Sequence, residues 1–385
     1  MIPYGFQDIR PEDIEAVINV LKSDWLTQGP WVPRFEQAVA EYCGADYAVA
    51  VNSGTSALHI ACLALGLSPG DRLWTSPNTF VASANCGLYC GATVDFVDID
   101  PRTYNMSVDA LALKLKQTEK SGTLPKVVIP VHFAGQSCEM DVINSLAKRY
   151  GFHIIEDASH AIGGQYKGKP IGNGQYSDIT VFSFHPVKII TTGEGGAAFT
   201  NNPDLADRMQ LFRTHGITRD PSKMTSNGQG LWYYQQIDLG YNYRMTDIQA
   251  ALGISQMQRI DEFVTQRHRL AVRYDKALAD LPIHLPFTHK NAYSSFHLYV
   301  IRLDTEIIKR NRREIFERLR NAGIGVNVHY IPVHTQPYYR QMGFRMGDFP
   351  ASEVYYQEAM SLPLFPGLSK KQQDQIVAAL RTAIE

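Results

Sequence analysis

From residue 47 onward short apolar runs and helical patterns take turns, and this alternation restricts the fold more than any other feature of the chain. Residues 47–51, 72–75, 93–97, 126–131 and 152–155 read as strands, and 55–65, 79–90 and 140–150 read as helices between them. Strands separated by helices are joined by crossover connections, so the pattern predicts an α/β layered fold with a mostly parallel sheet. A further buried strand is expected over 179–184. Two helices precede the alternation, one from Pro11 to about Lys22, with proline tolerated in its first turn, and one over 33–42. In sheets of this kind ligands collect beyond the carboxyl ends of the strands, so the chemistry is to be sought there.

The pattern changes after Met245. Residues 246–281 read as one long helical stretch, with Ile248, Leu252, Ile254 and Met257 on one face. A strand over 297–303, a helix over 312–321, a strand over 325–329 and a terminal helix from Ser369 follow. This predicts a large domain over residues 1–259 and a smaller C-terminal α+β domain over 260–385; a chain of 385 residues, 44% hydrophobic, is long enough for more than one core. Residues 219–230 are polar and aperiodic and are expected to form a mobile loop.

Charge narrows the function classes. Lys plus Arg number 37 against 38 for Asp plus Glu, so no basic excess points to nucleic acid and no polybasic run to anionic lipid. No apolar run reaches the ~18–20 residues of a membrane span, and the first residues lack the basic and apolar regions of a signal peptide. The five cysteines (Cys43, Cys62, Cys86, Cys90 and Cys138) are odd in number and lack zinc-type pairing, which fits a reducing cytoplasm.

Three features carry chemistry. Lys188 follows the apolar strand in Ser183-Phe184-His185-Pro186-Val187-Lys188 and precedes the glycine-rich Gly193-Glu194-Gly195-Gly196. A lysine attacks a carbonyl only when neutral, so such a position needs an environment that lowers its pKa. Asp157 ends an apolar strand, where it caps the next helix or faces a ligand at the sheet's carboxyl edge. Gly54-Thr55-Ser56 opens a helix after Asn52-Ser53, and helix N-termini offer unpaired amides to a phosphate. A Schiff-base lysine, an anion for a pyridine nitrogen and a phosphate site are together what pyridoxal phosphate (PLP) requires. Other motifs fall away. Asp157, Ser159 and His160 share the letters of a hydrolase triad, but sequence neighbours do not form one, and no G-x-S-x-G elbow occurs. Gly172-Asn173-Gly174 lacks the third glycine of a dinucleotide site, and no Walker sequence is present.

Over essentially its whole length the chain resembles the DegT/DnrJ/StrS sugar-nucleotide aminotransferases, PLP enzymes of fold type I. The likeness rests on Leu26-Thr27-Gln28-Gly29-Pro30, Asn52 to Leu58, Val131-His132-Phe133-Ala134-Gly135, Ile155 to Ala161, Phe182 to His185 with Lys188, Gly193 to Gly196, and Gly240 to Asp247. The resemblance implies that Lys188 is the covalent attachment point and moves the proton. Asp157 would pair with the pyridine nitrogen, Phe80 would cover the ring face, and Thr55, Ser56 and Ser183 would hold the phosphate. Asn242 would reach the phosphate of a neighbouring subunit, so the active site would be shared in a homodimer. His160 stands where many members have glutamine, near the 3-oxygen of PLP. Tyr4, Thr27, His185, Arg244, His329 and Tyr338 are substrate-side candidates. L-Glutamate is the implied donor. Asn327 to Pro332, with Tyr338-Tyr339, resemble the branch serving pseudaminic-acid biosynthesis, which aminates C4 of a UDP-4-keto-6-deoxy-N-acetylhexosamine. Lys188 argues against the dehydratases of this fold, which carry histidine there. Amination of another nucleotide-linked 3- or 4-keto sugar and a non-catalytic PLP-binding regulator remain the alternatives.

Overall fold

The computed structural model describes residues 1–226 and 230–385. Seven strands form one sheet in the order Tyr47–Val51, Gly196–Thr200, Ile179–Ser183, His153–Asp157, Val127–Ile129, Arg72–Thr75, Thr93–Phe96. The pairings from Ile179–Ser183 to Thr93–Phe96 are all parallel, as the alternation predicts. Gly196–Thr200 departs from the expectation: it inserts antiparallel to both of its neighbours. It opens with three small residues, Gly196, Ala197 and Ala198, and is buried throughout, where the sequence reads only a glycine-rich turn.

Period-two alternation sorts the sheet's side chains to its two faces. Val181 packs with Leu58, Ile60 and Ala61 of helix Gly54–Ala64, whereas its neighbour Phe182 packs with Phe35 and Val39 of helix Trp31–Cys43. Phe182 meets Phe199 edge-on with centroids 5.0 Å apart, and Phe35 meets Phe184 at 5.2 Å. The helices start and stop where local chemistry dictates. Ser53 caps Gly54–Ala64 through the amide of Ser56, and Gly44 ends Trp31–Cys43 in the left-handed region at φ 74°.

The C-terminal part builds a second core on a three-stranded antiparallel sheet of Ile283–His284, Tyr299–Leu303 and Ala359–Leu362. Helix Ile260–Leu278 serves both cores: Ile260, Phe263 and Val264 pack beneath the large sheet, and Leu270, Tyr274 and Leu278 pack on the small one. The expected single helix over 246–281 is instead two, Asp247–Met257 and Ile260–Leu278. At their junction the buried Asp13 gathers Ser255 Oγ (2.6 Å), Gln256 Nε2 (2.8 Å) and Arg259 Nη2 (2.7 Å), a contact across the chain that periodicity does not report. The expected strand over 325–329 is reduced to a bridge between Asn327 and Ser361. Gly325 is tied instead to the N-terminal segment, its amide 2.6 Å from Ile2 O, and the following residues turn toward the large sheet. Of the expected loop at 219–230, residues 227–229 lie outside the described residues; Ile217–Thr218 and Gln235–Gln236 pair on either side of it. Among the described residues no helix is long and apolar enough to cross a membrane.

Candidate active site

A cavity of about 750 Å³ opens at the carboxyl ends of the central strands. Strand His153–Asp157 delivers Asp157 to its floor, only 5% exposed. Ser83 Oγ donates to Asp157 Oδ2 at 2.6 Å and the Ser159 amide to Oδ1 at 3.1 Å, which fixes the plane of the carboxylate. Ser83 is fully buried and shares a second hydrogen bond with Thr79 Oγ1 at 2.8 Å. Lys188 lines the same cavity, in a turn closed by its own amide on His185 O at 2.9 Å. Burial pushes its ammonium down to about 8, with the Asp157 charge working the other way. A sizeable neutral fraction at neutral pH is what a carbonyl-attacking lysine needs.

The opposite wall is a cradle without side chains. A Cβ on Gly196 would lie 2.6 Å from Gly54 N, and one on Gly54 would lie 3.0 Å from Ser183 Cβ. The close approach leaves the helix start bare, lined by the hydroxyls of Thr55, Ser56 and Ser183. Ser56 Oγ donates to Asn52 Oδ1 at 2.6 Å. A helix N-terminus stripped of side chains and ringed by hydroxyls suits a phosphate. With a lysine of lowered pKa and an oriented carboxylate in the same cavity, the residues present fit PLP.

Between these walls stand aromatic groups. Phe80, 59% exposed, and Tyr330 have ring centroids 6.4 Å apart. His160 is buried, and its tautomer follows from its partners. Its Nδ1 accepts from the Ala134 amide at 3.3 Å, so a neutral ring carries its hydrogen on Nε2 and donates to Tyr330 Oη at 3.0 Å. Burial, then the charges of Lys188 and His329, hold His160 well below the ordinary histidine range. His329 is held at about 3 by burial and then by Lys188, with Nδ1 against Ser361 Oγ at 2.8 Å. Tyr4 approaches His329 with ring centroids 5.4 Å apart, and His185 at the rim stands 4.0 Å from Glu194.

The structure thus gathers Tyr4, Thr55, Ser56, Phe80, Asp157, His160, Ser183, His185, Lys188 and His329 around one cavity. Thr27, Asn242, Arg244 and Tyr338 do not line it. Arg244 bridges Val51, Asn242 bridges Thr214 with its carbonyl 3.4 Å from Asn52 Nδ2, Thr27 bridges Thr246, and Tyr338 is 59% exposed beside Tyr339. The cavity also recruits residues that the sequence reading did not single out: Asn327, Tyr330 and His297 in its lining, and Ser83 behind Asp157. Asn327 and Tyr330 sit in a motif already noted for resemblance, whereas nothing local distinguishes Ser83 or His297.

Residues 7–381 match the model of the DegT/DnrJ/EryC1/StrS aminotransferase family. The chain is 40% identical to the spore coat polysaccharide biosynthesis protein SpsC of Bacillus subtilis, covering 100% of this chain and 97% of the relative. It is 38% identical to a UDP-4-amino-4,6-dideoxy-N-acetyl-β-L-altrosamine transaminase of Campylobacter jejuni, covering 100% and 98%. Among solved structures, Helicobacter pylori PseC, an aminotransferase involved in the biosynthesis of pseudoaminic acid, superposes with a TM-score of 0.90 at 31% identity, covering 100% of this chain and 99% of that one. The PLP-form of the sugar aminotransferase Spr1654 of Streptococcus pneumoniae gives 0.89 at 32%, covering 99% and 98%.

Proposed function

Because this chain belongs to the DegT/DnrJ/EryC1/StrS aminotransferase family, and is a sugar aminotransferase of fold type I, we propose that it uses PLP to move an amino group from L-glutamate to C4 of a UDP-4-keto-6-deoxy-N-acetylhexosamine, in pseudaminic-acid biosynthesis. The observation that carries the reading is the pairing of Lys188, its pKa lowered to about 8, with the oriented carboxylate of Asp157 in one cavity. When bound, PLP supplies the carbonyl that receives amines and the ring that takes up carbanion charge. The rest is done by the chain. Thr55, Ser56 and Ser183 would hold the phosphate against the bare helix start. Asp157 would face the ring nitrogen, kept in orientation by Ser83 and Ser159. Lys188 Nζ, once free, would take the proton from the donor's α-carbon and return it on the other side of the exchange. Phe80 and Tyr330 would wall the ring and exclude water. We assign the reaction to the cytoplasm, in keeping with five buried, free cysteines, and to a homodimer.

The sugar is identified by likeness to the Campylobacter transaminase and to PseC. A second reading, amination of another nucleotide-linked keto sugar, is favoured by the likeness to a relative named for spore coat polysaccharide. The deciding measurement is kcat/KM across UDP-, dTDP- and GDP-linked 4-keto and 3-keto sugars, with product identified by mass spectrometry. The altrosamine-configured UDP-4-keto sugar is expected to lead. A competitor ahead by about tenfold, about 1.4 kcal/mol of transition-state preference, would reverse the assignment.

A further inference from the structure

We propose that His297 binds the α-carboxylate of the amino donor. The inference rests on the aminotransferase reading and names a specificity residue within it. His297 lines the cavity, is 4% exposed, and among the described residues no hydrogen bond engages its ring; Nδ1 is shut off from the cavity, which leaves Nε2 as the nitrogen a ligand can reach. An unpaired ring nitrogen at the wall of a ligand cavity marks a place where a ligand atom belongs.

The ring is held there by a built support. Phe296 sits at φ 48°, a left-handed backbone that residues with a side chain seldom adopt. Ser295 Oγ donates to His160 O at 2.8 Å, and the Ser295 amide donates to Gly135 O at 3.0 Å. Arg267, 1% exposed, donates from Nη1 to Phe296 O (3.1 Å), His297 O (3.1 Å) and Leu364 O (2.9 Å). Strain fixed by so many contacts is a common mark of a functional segment.

Covalent geometry then selects the ligand group. The donor's amine must reach the place that Lys188 Nζ reaches. Its α-carboxylate is attached to the same carbon, so it must come to rest among the groups around Lys188. Of the four imidazoles in the cavity, His185 stands at the rim, with Nδ1 accepting from the Val187 amide at 3.4 Å and Nε2 4.0 Å from Glu194, and two of the other three are committed. His160 uses both nitrogens, on the Ala134 amide and Tyr330 Oη. His329 uses both, on Ser361 Oγ and, at 3.4 Å, Asn327 Nδ2. Among the described residues, His297 alone of these three has neither ring nitrogen engaged.

Charge favours an anion over a sugar hydroxyl. Arg267 bonds only to carbonyls and pairs with no carboxylate among the described residues. Asp157 is already occupied by Ser83 and Ser159. Burial, then the charges of His160, Lys188, Arg267 and His329, keep His297 neutral. A neutral imidazole has one N–H, which His297 donates from Nε2 to the carboxylate with the Arg267 charge behind it.

The test follows each half-reaction of the PLP-loaded enzyme by the absorbance of the cofactor. His297→Leu should raise the apparent Kd for L-glutamate by about tenfold or more while leaving that for a UDP-4-keto sugar, measured from the pyridoxamine form, within about twofold. His297→Asn, which keeps a donor, should recover most of the loss. The α-methyl ester of L-glutamate should bind wild type about tenfold more weakly than L-glutamate, and His297→Leu should abolish that difference, since both changes remove one contact. Equal weakening of both half-reactions, unchanged donor affinity, or an ester penalty that survives in His297→Leu would overturn the assignment. So would failure of both variants to load PLP, which would make His297 a structural residue. If wild type itself converts no amino acid, the aminotransferase reading fails and this inference with it; wild-type conversion with an unaffected variant sinks only the role of His297.

Discussion

Lys188 shows how a single side chain is prepared by its surroundings. Its ammonium titrates at about 8 rather than the ordinary 10.5 because burial penalises the charge, and Asp157 restores part of the loss. Capture of PLP by the cofactor-free protein should therefore accelerate with pH through a midpoint near 8, as seen by stopped-flow absorbance. Asp157→Asn removes the charge that raises the pKa, so the midpoint should move to lower pH; an upward move would contradict the assigned cause. Borohydride reduction of the loaded enzyme should place the cofactor on the peptide carrying Lys188, and recovery on another lysine would refute the attachment. Ser83→Ala should lower kcat/KM by roughly tenfold through loss of a hydrogen bond to a charged group, with the fold retained. Equal activity would mean that Ser159 orients Asp157 alone. The places of Lys188 and Asp157 were legible because Asp157 ends an apolar strand and Lys188 lies in the turn that follows one, both at the sheet's carboxyl edge. Ser83 was not, because its partner lies 74 positions away and a helical serine carries no local signal.

At the scale of elements, the site depends on a strand and a helix that nearly touch. Gly196 begins strand Gly196–Thr200 and meets the first residues of helix Gly54–Ala64, where an added Cβ would stand 2.6 Å from backbone atoms of Ser53 and Gly54. Gly196→Ala must push the two apart. It should cost about 1–3 kcal/mol of stability, the usual price of overpacking, and weaken PLP retention as well. Thermal unfolding and cofactor dissociation measure the two effects, and unchanged retention would separate the cradle from the phosphate. The helix start was readable from Ser53 and Gly54, because capping is local chemistry. The antiparallel strand was not, because its identity comes from pairing with Tyr47–Val51 and Ile179–Ser183 rather than from its own pattern. The same holds for the broken helix at Gln258 and Arg259, where Asp13 of the N-terminal segment supplies the contact.

The whole molecule responds to pH through a pair buried beneath the site. His132 Nε2 stands 2.6 Å from Glu156 Oε2. The Cys138 amide donates to His132 Nδ1 at 3.2 Å, so a neutral ring carries its hydrogen on Nε2 and donates it to Glu156; burial works to raise the Glu156 carboxyl, but His132, Ser177 and Thr180 outweigh it and hold it below its ordinary 4.5. A lowered folded pKa gives stability that is complete above the unfolded value of 4.5 and is lost as pH falls through the folded one. The Tm should fall as pH drops below about 4.5, and fall less in Glu156→Gln; an equal fall in both would clear the pair. A second property of the whole molecule is the proposed dimer. Large apolar side chains face outward, with Leu231, Trp232 and Leu239 101%, 73% and 69% exposed, and exposed apolar groups of this size mark an interaction surface where they are contiguous. Asn242 does not line the cavity of its own chain, although its backbone lies beside Asn52 at the phosphate cradle. A side chain so placed serves a neighbouring site if two copies meet along this edge. Lys188→Ala and Asn242→Ala protomers should each be inactive or nearly so as homodimers. In a mixed dimer with shared sites, one site holds both defects and the other neither, so activity should return toward half that of wild type per mixed dimer. Subunit exchange is followed independently by native mass spectrometry. Exchange without recovery would place Asn242 and Lys188 in the same site and end the shared-site reading.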